Sequence, residues 1–267
     1  MKHLMHFGAL FALAATRKSK RFVRLSPNRS GKIFIFDKRN KEIFHVHARE
    51  NIDSVTADQI FAKNDYDLRF LKRYPEILDH YRYILSTGRN PLIIDCGANI
   101  GLSAYYFSRE FPESRIVAVE PEVNNFTMIK KNCDGLGNID FKNAAIGSVD
   151  GFATIDDSGS KNNAFRTSRT DSGKGAIPIL SIDTILSENT DLVPFIVKID
   201  IEGFEDDLFS RNTGWVAKVP LLIAETHDWM LPGQANSRNF LRAISNEDRD
   251  FVHRGENIFS ISNDYPK

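Results

Sequence analysis

The second part of the chain, from Gly88 onward, alternates short apolar runs with amphipathic segments. The runs are continuously apolar, which is typical of strands buried on both faces of a parallel sheet. They lie at residues 91–95, 115–120, 139–146, 195–200 and 221–225. Because helical segments separate these runs, the pattern predicts an α/β fold whose mostly parallel sheet is covered by helices on both faces.

The end of the chain departs from this alternation. Residues 251–253 and 258–261 predict an antiparallel hairpin that closes the sheet. The stretch 148–178 is rich in Ser, Gly, Asp, Asn and Thr, which predicts a hairpin followed by a loop. Within it, residues 156–175 carry several basic side chains. Two interpretations of that segment remain open, a lid that orders over a substrate and a solvated loop without a role.

The part before Gly88 has a different pattern. Residues 32–37 and 43–47 alternate as two strands around a polar turn, and residues 57–87 have helical spacing that Pro75 must interrupt. We therefore predict two regions, an N-terminal extension at 1–87 that covers the substrate and a larger domain at 88–267.

The first residues allow two interpretations. Residues 1–15 have a basic start and a short apolar stretch, as an export signal has, but a basic cluster follows at once. The alternative is a short helix within residues 1–22 that packs on the domain or contacts a membrane surface. No run of 18 apolar residues is present, so the sequence predicts no membrane-spanning helix.

Composition excludes several classes of protein. Hydrophobic residues make up 42% of the 267 residues, and 35 basic side chains balance 35 acidic ones. This neutral balance argues against nucleic acid as a partner, because such proteins carry a basic surplus. The only two cysteines, Cys96 and Cys133, are too few for a disulfide scaffold or a four-thiolate zinc site.

Candidate chemistry lies where the predicted strands end, because ligands bind at the carboxyl ends of such strands. The first strand leads into Asp95, Gly97, Asn99 and Gly101, in which Asn99 replaces the middle glycine of a pyrophosphate-binding loop. An acid at the start of this loop suits a cationic ligand such as an ammonium group. Glu120 ends the second strand and can accept both hydroxyls of a ribose. In the alternative interpretation the glycines only form a turn and Glu120 caps the next helix.

These motifs carry a family resemblance. Residues 95–101 together with Glu120-Pro121 resemble motifs of the class I S-adenosylmethionine-dependent methyltransferases. More narrowly, residues 198–205 resemble the signature of the FkbM-type methyltransferases, as do residues 181–186 and 224–227. The resemblance implies the Rossmann-like class I fold with a seven-stranded sheet, and methyl transfer to a hydroxyl on a sugar, glycolipid or polyketide.

The resemblance also implies a cofactor site and a location. The cofactor would be S-adenosylmethionine, and the acceptor a small molecule or a glycan- or lipid-linked compound. Because this cofactor is made in the cytosol, we expect a cytoplasmic protein. The residues expected to bind the cofactor are Asp95, Gly97, Ala98, Asn99, Gly101, Glu120, Ala145 and Asp200.

The block at residues 198–205 suggests the catalytic groups. Lys198, Asp200 and Glu202 would share one side of an extended strand, and charges at that point belong in the crevice. Our first candidate for the general base is His227, because an unperturbed imidazole has a pKa near neutrality, and Asp200 is the second. Lys198 completes the predicted catalytic set. The alternatives are that Glu202 and Glu205 cap the next helix, and that His227 is satisfied within a loop.

Three further hypotheses remain open. Asp200, Glu225 and His227 could bind Mg²⁺ or Mn²⁺ that acidifies the acceptor hydroxyl, although we favour a metal-free site because no sequence spacing fixes these ligands. A nicotinamide-dependent oxidoreductase is disfavoured by Asn99 and by the charged block. A catalytically silent adaptor is disfavoured by the acids at four strand ends.

Overall fold

The structure is a computed structural model, and it describes residues 21–25, 31–49, 53–156 and 166–265. The chain forms two compact units, Met1–Asp67 and Leu68–Lys267. The division falls before the sequence-based boundary at 87/88. The reason is that the helix at Tyr74–Ser86 packs within the second unit, where the Tyr81 ring lies 5.5 Å from that of Phe195. The segment predicted to be an export signal or a membrane contact lies, up to residue 20, outside the described residues.

The first unit is built on a three-stranded antiparallel sheet. Its strands are β1 (Phe22–Arg24), β2 (Lys32–Asp37) and β3 (Glu42–His47), in that order across the sheet. Helix α1 (Asp53–Ala57) follows and continues into a π-helical turn. The two strands predicted at 32–37 and 43–47 are present as β2 and β3, and in β2 Ile33 and Ile35 are buried while Phe34 between them is exposed. The predicted role of this region as a cover for the substrate stays a prediction.

The second unit contains two sheets. Its strands are β4 (Pro91–Cys96), β5 (Arg115–Val119), β6 (Ile139–Lys142), β7 (Ala145–Gly147), β8 (Gly151–Asp156), β9 (Arg166–Thr170), β10 (Ile177–Ser181), β11 (Val193–Ile199), β12 (Leu221–Glu225), β13 (Arg249–Arg254) and β14 (Asn257–Ser262). Its α-helices are α2 (Tyr74–Ser86), α3 (Leu102–Glu110), α4 (Val123–Asn132), α5 (Ile182–Glu188), α6 (Glu205–Leu208) and α7 (Arg238–Ser245). Short 3₁₀ helices lie at Leu68–Phe70 and Thr213–Lys218.

The larger sheet has the seven strands that the sequence predicts. Its order is β13-β14-β12-β11-β4-β5-β6, with parallel pairing from β12 to β6 and antiparallel pairing of β14 with both β12 and β13. The chain runs outward from β4 to β6 on one side and returns to β11 on the other. The carboxyl ends of β4 and β11 therefore form the topological switch point, where a crevice opens in α/β sheets.

One predicted strand is in fact two. The apolar run at 139–146 was expected to form a single strand, but β6 ends before Asn143, and β7 belongs to a separate four-stranded sheet of order β7-β10-β8-β9. The side chain of Asn143 donates hydrogen bonds to the backbone oxygens of Glu120 (2.9 Å) and Pro121 (3.0 Å). These bonds hold Asn143 against the backbone that follows β5, and the chain leaves the larger sheet at Asn143.

The core lies on both faces of the larger sheet. Its central strands bury continuous apolar runs, as expected for a parallel sheet between helices. The most buried members include Leu92, Ile93, Ile94, Ile116, Val117, Phe195, Ile196, Val197, Leu222 and Ile223. Among the described residues, no helix is both long enough and apolar enough to cross a membrane.

Candidate active site

A cavity opens at the carboxyl ends of β4, β5 and β11. Its lining residues come from the turns after these strands, from β7 and from β9. They are Gly97, Asn99, Val119, Glu120, Pro121, Asn125, Ala144, Ala145, Ile146, Thr167, Asp200, Ile201, Glu202 and Phe204. Five of the predicted cofactor residues are in this lining: Gly97, Asn99, Glu120, Ala145 and Asp200. Three others, Asp95, Ala98 and Gly101, are not.

The glycines of the turn after β4 allow close approach between neighbouring segments. A Cβ atom on Gly97 would lie 1.7 Å from the backbone oxygen of Asp200, so no other residue fits between the ends of β4 and β11. At Gly101 a Cβ would lie 3.1 Å from the backbone of Ile129, and the φ of Gly101 is +85°. Both glycines therefore bring backbone segments together, and Gly97 also faces the cavity.

Asn99, a residue of the cavity lining, has an unused acceptor. Its backbone has a φ of +50°, a conformation that Asn adopts more readily than most residues. Its N–H donates to Oε2 of Glu120 at 2.8 Å. Its side-chain Oδ1 is buried and has no hydrogen-bond partner among the described residues. Buried polar atoms are nearly always paired, so this oxygen fits a donor group of a bound ligand.

Glu120 lies in the wall of the cavity and is 5% exposed. Its carboxylate accepts from the N–H groups of Asn99 and Glu122 and from the side chain of Asn125 (3.2 Å). Burial raises the pKa of Glu120 to about 7, although these hydrogen bonds act in the opposite direction.

The helix that follows is capped by Glu122. Its carboxylate accepts from the N–H groups of Asn124 at 2.9 Å and Asn125 at 2.7 Å. The alternative in which Glu120 caps this helix is therefore wrong.

Asp95 and Lys198 form a buried ion pair behind the cavity. Lys198 Nζ lies 3.2 Å from Asp95 Oδ1, and it donates to the backbone oxygen of Gly97 at 2.8 Å. Asp95 also accepts from the hydroxyl of Ser103 at 2.5 Å. The two side chains are 0% and 2% exposed. Lys198 thus holds the turn after β4, and its predicted catalytic role gains no support from contact with the cavity.

A second group of charged residues surrounds His227. His227 is 1% exposed, and its Nδ1 lies 2.9 Å from Oε1 of Glu205. Its Nε2 faces carboxylate oxygens of Asp200 (3.6 Å), Glu202 (3.6 Å) and Glu225 (3.7 Å). We call Asp200, Glu202, Glu225 and His227 the acid–histidine cluster. It combines the end of β11 with the end of β12, and Asp200 and Glu202 line the cavity.

Glu205 is a residue of the site that the sequence did not single out. The sequence offered helix capping as an alternative for Glu205. In the structure it is buried beside His227, and its other oxygen accepts from the side chain of Asn236 at 2.7 Å. The Glu205 carboxylate also accepts a longer bond from the N–H of Ile201 at 3.3 Å. An acid at the start of a short helix was the only signal in the sequence, and that signal is shared by exposed capping residues.

The charges of the cluster shift its pKa values strongly. Burial lowers the pKa of His227, but the hydrogen bond to Glu205 and the charges of Asp200 and Glu202 outweigh it and raise the pKa to about 9. Burial first, and then the charge of Asp200, raise the pKa of Glu202 to about 7 and that of Glu225 to about 8. Beside these carboxylates, His227 therefore holds its proton at neutral pH, unlike the base near neutrality that we expected.

The position of Glu202 also differs from the expectation. Strand β11 ends at Ile199, so strand alternation does not extend to Glu202. Instead Glu202 (φ +52°) and Gly203 (φ +96°) turn the chain and bring the Glu202 carboxylate beside Asp200. Asp200, Glu202 and His227 each offer a ligand atom, and these atoms lie within 4.8 Å of one another. The predicted metal set named Glu225 in place of Glu202, whereas Glu225 lies at the side of this group.

The segment predicted as a lid is described only in part. Residues 157–165, including Lys161, lie outside the described residues. Thr167 of β9 lines the cavity, and Arg169 forms an ion pair with Asp207 whose two N–O distances are 2.5 and 2.8 Å. This pair anchors β9 to helix α6, next to the cavity wall.

Comparison with known proteins gives one match that covers most of this unit. Residues 95–252 match the family described as the methyltransferase FkbM domain. This range includes the turn after β4, Glu120 and the whole acid–histidine cluster.

Individual relatives match less of the chain. The methyltransferase sdnD of Sordaria araneosa is 35% identical over 81 residues, which are 29% of this chain and 30% of that protein. The bifunctional kinase-methyltransferase WbdD has a TM-score of 0.39 and 11% identity, over 72% of this chain and 39% of that one. TrmK of M. capricolum, solved with S-adenosyl-homocysteine, has a TM-score of 0.35 and 13% identity, over 71% of this chain and 68% of that one. The chain thus spans less than a third of its curated relative, and the structural likenesses are weak.

Proposed function

Because this chain belongs to the FkbM family of methyltransferases, whose methyl donor is S-adenosylmethionine, we propose that it methylates a hydroxyl group. The acceptor that we propose is a small molecule or a glycan- or lipid-linked compound. The observation that carries the proposal is that one cavity is lined both by Glu120 and by two carboxylates of the acid–histidine cluster. Groups suited to a ribose and groups suited to a hydroxyl proton thus face the same space. Family membership removes the nicotinamide-dependent oxidoreductase from consideration.

On the donor side, the residues present fit the cofactor. The unpartnered Oδ1 of Asn99 suits an ammonium group, and the carboxylate of Glu120 suits the two ribose hydroxyls. Ala145 contributes a small apolar surface to the same wall, where an adenine ring would fit. Asp95 and Lys198 would act indirectly by holding the turn that carries Gly97 and Asn99.

On the acceptor side, the cluster would orient the hydroxyl and take its proton. When bound, S-adenosylmethionine supplies a methyl carbon that bonds to the acceptor oxygen while the carbon–sulfur bond breaks and its electron pair stays on sulfur. Such an in-line displacement depends mainly on alignment. Since His227 already holds a proton at neutral pH in this arrangement, the proton of the hydroxyl would go to a carboxylate of the cluster.

The cellular location that we propose for the protein follows from its methyl donor. We place the enzyme in the cytoplasm because S-adenosylmethionine is made there. Contact between residues 1–22 and a membrane stays a prediction.

The test is a methyl-transfer assay with isotopically labelled S-adenosylmethionine and a panel of sugars, glycolipids and polyketide-like alcohols. The proposal expects label in at least one ether product with the wild-type protein and with Asp183→Asn, a control at an exposed acid on α5. It expects no label with Glu120→Ala. Label only on nitrogen or carbon acceptors would overturn the O-directed activity. Donor binding without any transfer would instead support a catalytically silent adaptor.

A further inference from the structure

We propose that Asp200, Glu202 and His227 form a binding site for a divalent transition-metal ion, with Glu225 beside it, at the edge of the donor cavity. Binding of the ion follows from these residues alone. Its role in catalysis rests on the proposed function. This assignment replaces the metal-free site that the sequence favoured.

The distances within the cluster suit one shared ion. Two ligand atoms that are each about 2.1 Å from one ion lie roughly 3.0 to 4.2 Å apart, depending on the angle between them. Nε2 of His227 lies 3.6 Å from an oxygen of Asp200 and 3.6 Å from an oxygen of Glu202. Each of these distances is too long for a hydrogen bond and lies within the range for neighbouring ligands. The three atoms are also mutually close, within 4.8 Å.

The orientation of His227 is the second observation. Its Nδ1 is held by the buried carboxylate of Glu205, which is itself fixed by Asn236. A carboxylate that accepts from one ring nitrogen and leaves the other to a metal ion is the usual arrangement of metal-binding histidines. Nε2 makes no hydrogen bond to any residue that the structure describes, and it points at the acids from a side chain that is 1% exposed. A histidine placed only for packing needs no such alignment.

Charge in the cluster points to a cation. Four carboxylates, from Asp200, Glu202, Glu205 and Glu225, surround a single imidazole. The nearest other basic group, Lys198, is 3.5 Å from Asp200 but is already paired with Asp95. Like charges at this spacing repel one another unless protons or a cation intervene. A divalent ion bound by three ligands would supply positive charge in the middle of these carboxylates.

The donor set indicates which ions would bind. One imidazole nitrogen with two or three carboxylate oxygens is a mixed set, whereas Mg²⁺ and Ca²⁺ prefer oxygen ligands alone. Mn²⁺ accepts both kinds of ligand, and it can be detected directly by electron paramagnetic resonance, so it is the probe of choice. An ion at this place would bind the acceptor oxygen and make its hydroxyl more acidic.

The first experiment measures binding without catalysis. Purified full-length protein is stripped with a chelator and titrated with Mn²⁺, and free Mn²⁺ is followed by its resonance signal. We expect one ion per chain for the wild type and for Asp183→Asn. We expect an affinity at least about tenfold lower for Asp200→Asn and for His227→Ala, since each loses a ligand. A thermal melt of every variant checks its fold, and Glu202→Gln replaces any variant that does not fold.

The second experiment tests the positioning of His227. Glu205→Gln keeps the size of the side chain but removes its charge, so we expect Mn²⁺ affinity to fall by about 10- to 100-fold. Binding of S-adenosylhomocysteine should be unchanged in the same sample, which a general loss of structure would not allow.

Three results separate the metal site from the proposed function. The metal site is overturned if the wild type binds no Mn²⁺ at millimolar concentration, or if the ligand variants bind it as the wild type does. Its catalytic role is overturned if the chelated enzyme transfers methyl groups at the full rate, and in that case the O-methyltransferase stands. Conversely, stoichiometric Mn²⁺ binding by a protein that does not bind S-adenosylhomocysteine would support the site and contradict the proposed function.

Discussion

Two buried basic side chains lie at the ends of neighbouring strands, and they are used in opposite ways. Lys198, at the end of β11, is surrounded by acceptors, with Asp95 at 3.2 Å and the backbone oxygen of Gly97 at 2.8 Å. His227, just past β12, has one nitrogen bound to Glu205, while the other faces three carboxylates at 3.6 to 3.7 Å. We call Lys198 saturated because it donates to a backbone oxygen and contacts a carboxylate within the protein, and His227 unsaturated because its Nε2 makes no hydrogen bond to a described residue.

This difference in contacts distinguishes a side chain that stabilises the fold from one that is available to a ligand. A buried charge whose partners are complete stabilises the conformation of the backbone around it. The carboxylates that face Nε2 of His227 repel one another, which costs stability, and such clusters concentrate where a ligand or a reaction uses them. Lys198 and His227 both looked catalytic in the sequence. Their contacts show Lys198 holding the turn after β4, so of the two only His227 keeps a part in the chemistry that we propose.

The largest effect is expected when the saturated pair is broken. Lys198→Met leaves Asp95 buried and unpaired, so we expect the free energy of unfolding to fall by about 3–5 kcal/mol. Equilibrium denaturation with urea measures this change. The double variant Lys198→Met/Asp95→Asn should recover part of the loss, because no unpaired charge then remains. A loss below about 1 kcal/mol in the single variant would show that the pair does not hold the turn.

Removing the unsaturated histidine should have its main effect on turnover. For His227→Ala we expect kcat to fall by about 100-fold or more. We expect the Kd for S-adenosylhomocysteine to change by no more than about twofold, since His227 does not line the donor cavity. His227→Asn keeps a donor for Glu205 and should restore stability without restoring turnover. Full turnover in either variant would remove His227 from the mechanism.

The donor cavity has a buried acid, Glu120, for which no ion pair is found among the described residues, and we expect its titration to be measurable. Burial raises the pKa of Glu120 to about 7, so the free protein holds a proton there below pH 7. Since ribose hydroxyls donate to the ionised carboxylate, binding requires that this proton leave. The affinity for S-adenosylhomocysteine should therefore be constant above pH 7 and fall by up to about tenfold per pH unit below it.

Calorimetric titrations between pH 5 and 8 give this profile. Glu120→Gln cannot titrate and should bind weakly with a flat profile. An unchanged slope in that variant would assign the pH dependence to another group.

The smallest effect is expected at the partly exposed ion pair of β9. Arg169→Gln removes the contact with Asp207 that anchors β9 beside the cavity. Such pairs contribute about 1 kcal/mol or less, so we expect the donor affinity to fall by no more than about fivefold, and less at high salt. Binding measured at two salt concentrations tests this. A loss larger than that of Glu120→Gln would mean that β9 contributes more to the donor site than the cavity wall does.

The sheet was predictable from the sequence because its central strands are continuously apolar. β12 was predicted with the same limits that it has in the structure, and β4, β5 and β11 are within two residues of theirs. The prediction of one strand at 139–146 is wrong. No hydrophobic pattern reveals that the Asn143 side chain donates hydrogen bonds to the backbone after β5. Such a bond depends on two segments meeting in the fold.

The sequence predicted the residues of the candidate site that lie at the ends of strands, and it did not predict those that lie farther along the chain. Gly97, Glu120, Asp200 and His227 stand at or just after strands, so topology alone brings them together. Glu205 did not stand out, because its partner His227 is 22 residues away and its burial depends on packing. The roles of Lys198 and His227 could not be distinguished either, since a side chain's partners are not visible in a strand pattern.

The most direct test of this account is the calorimetric titration of the wild-type protein with S-adenosylhomocysteine, with NAD as the control ligand. We predict one bound S-adenosylhomocysteine per chain, no heat from NAD, loss of binding in Glu120→Ala and full binding in Asp183→Asn. Equal binding by Glu120→Ala would contradict the placement of the donor in this cavity. Absence of binding by the wild type would contradict the assignment as an active methyltransferase.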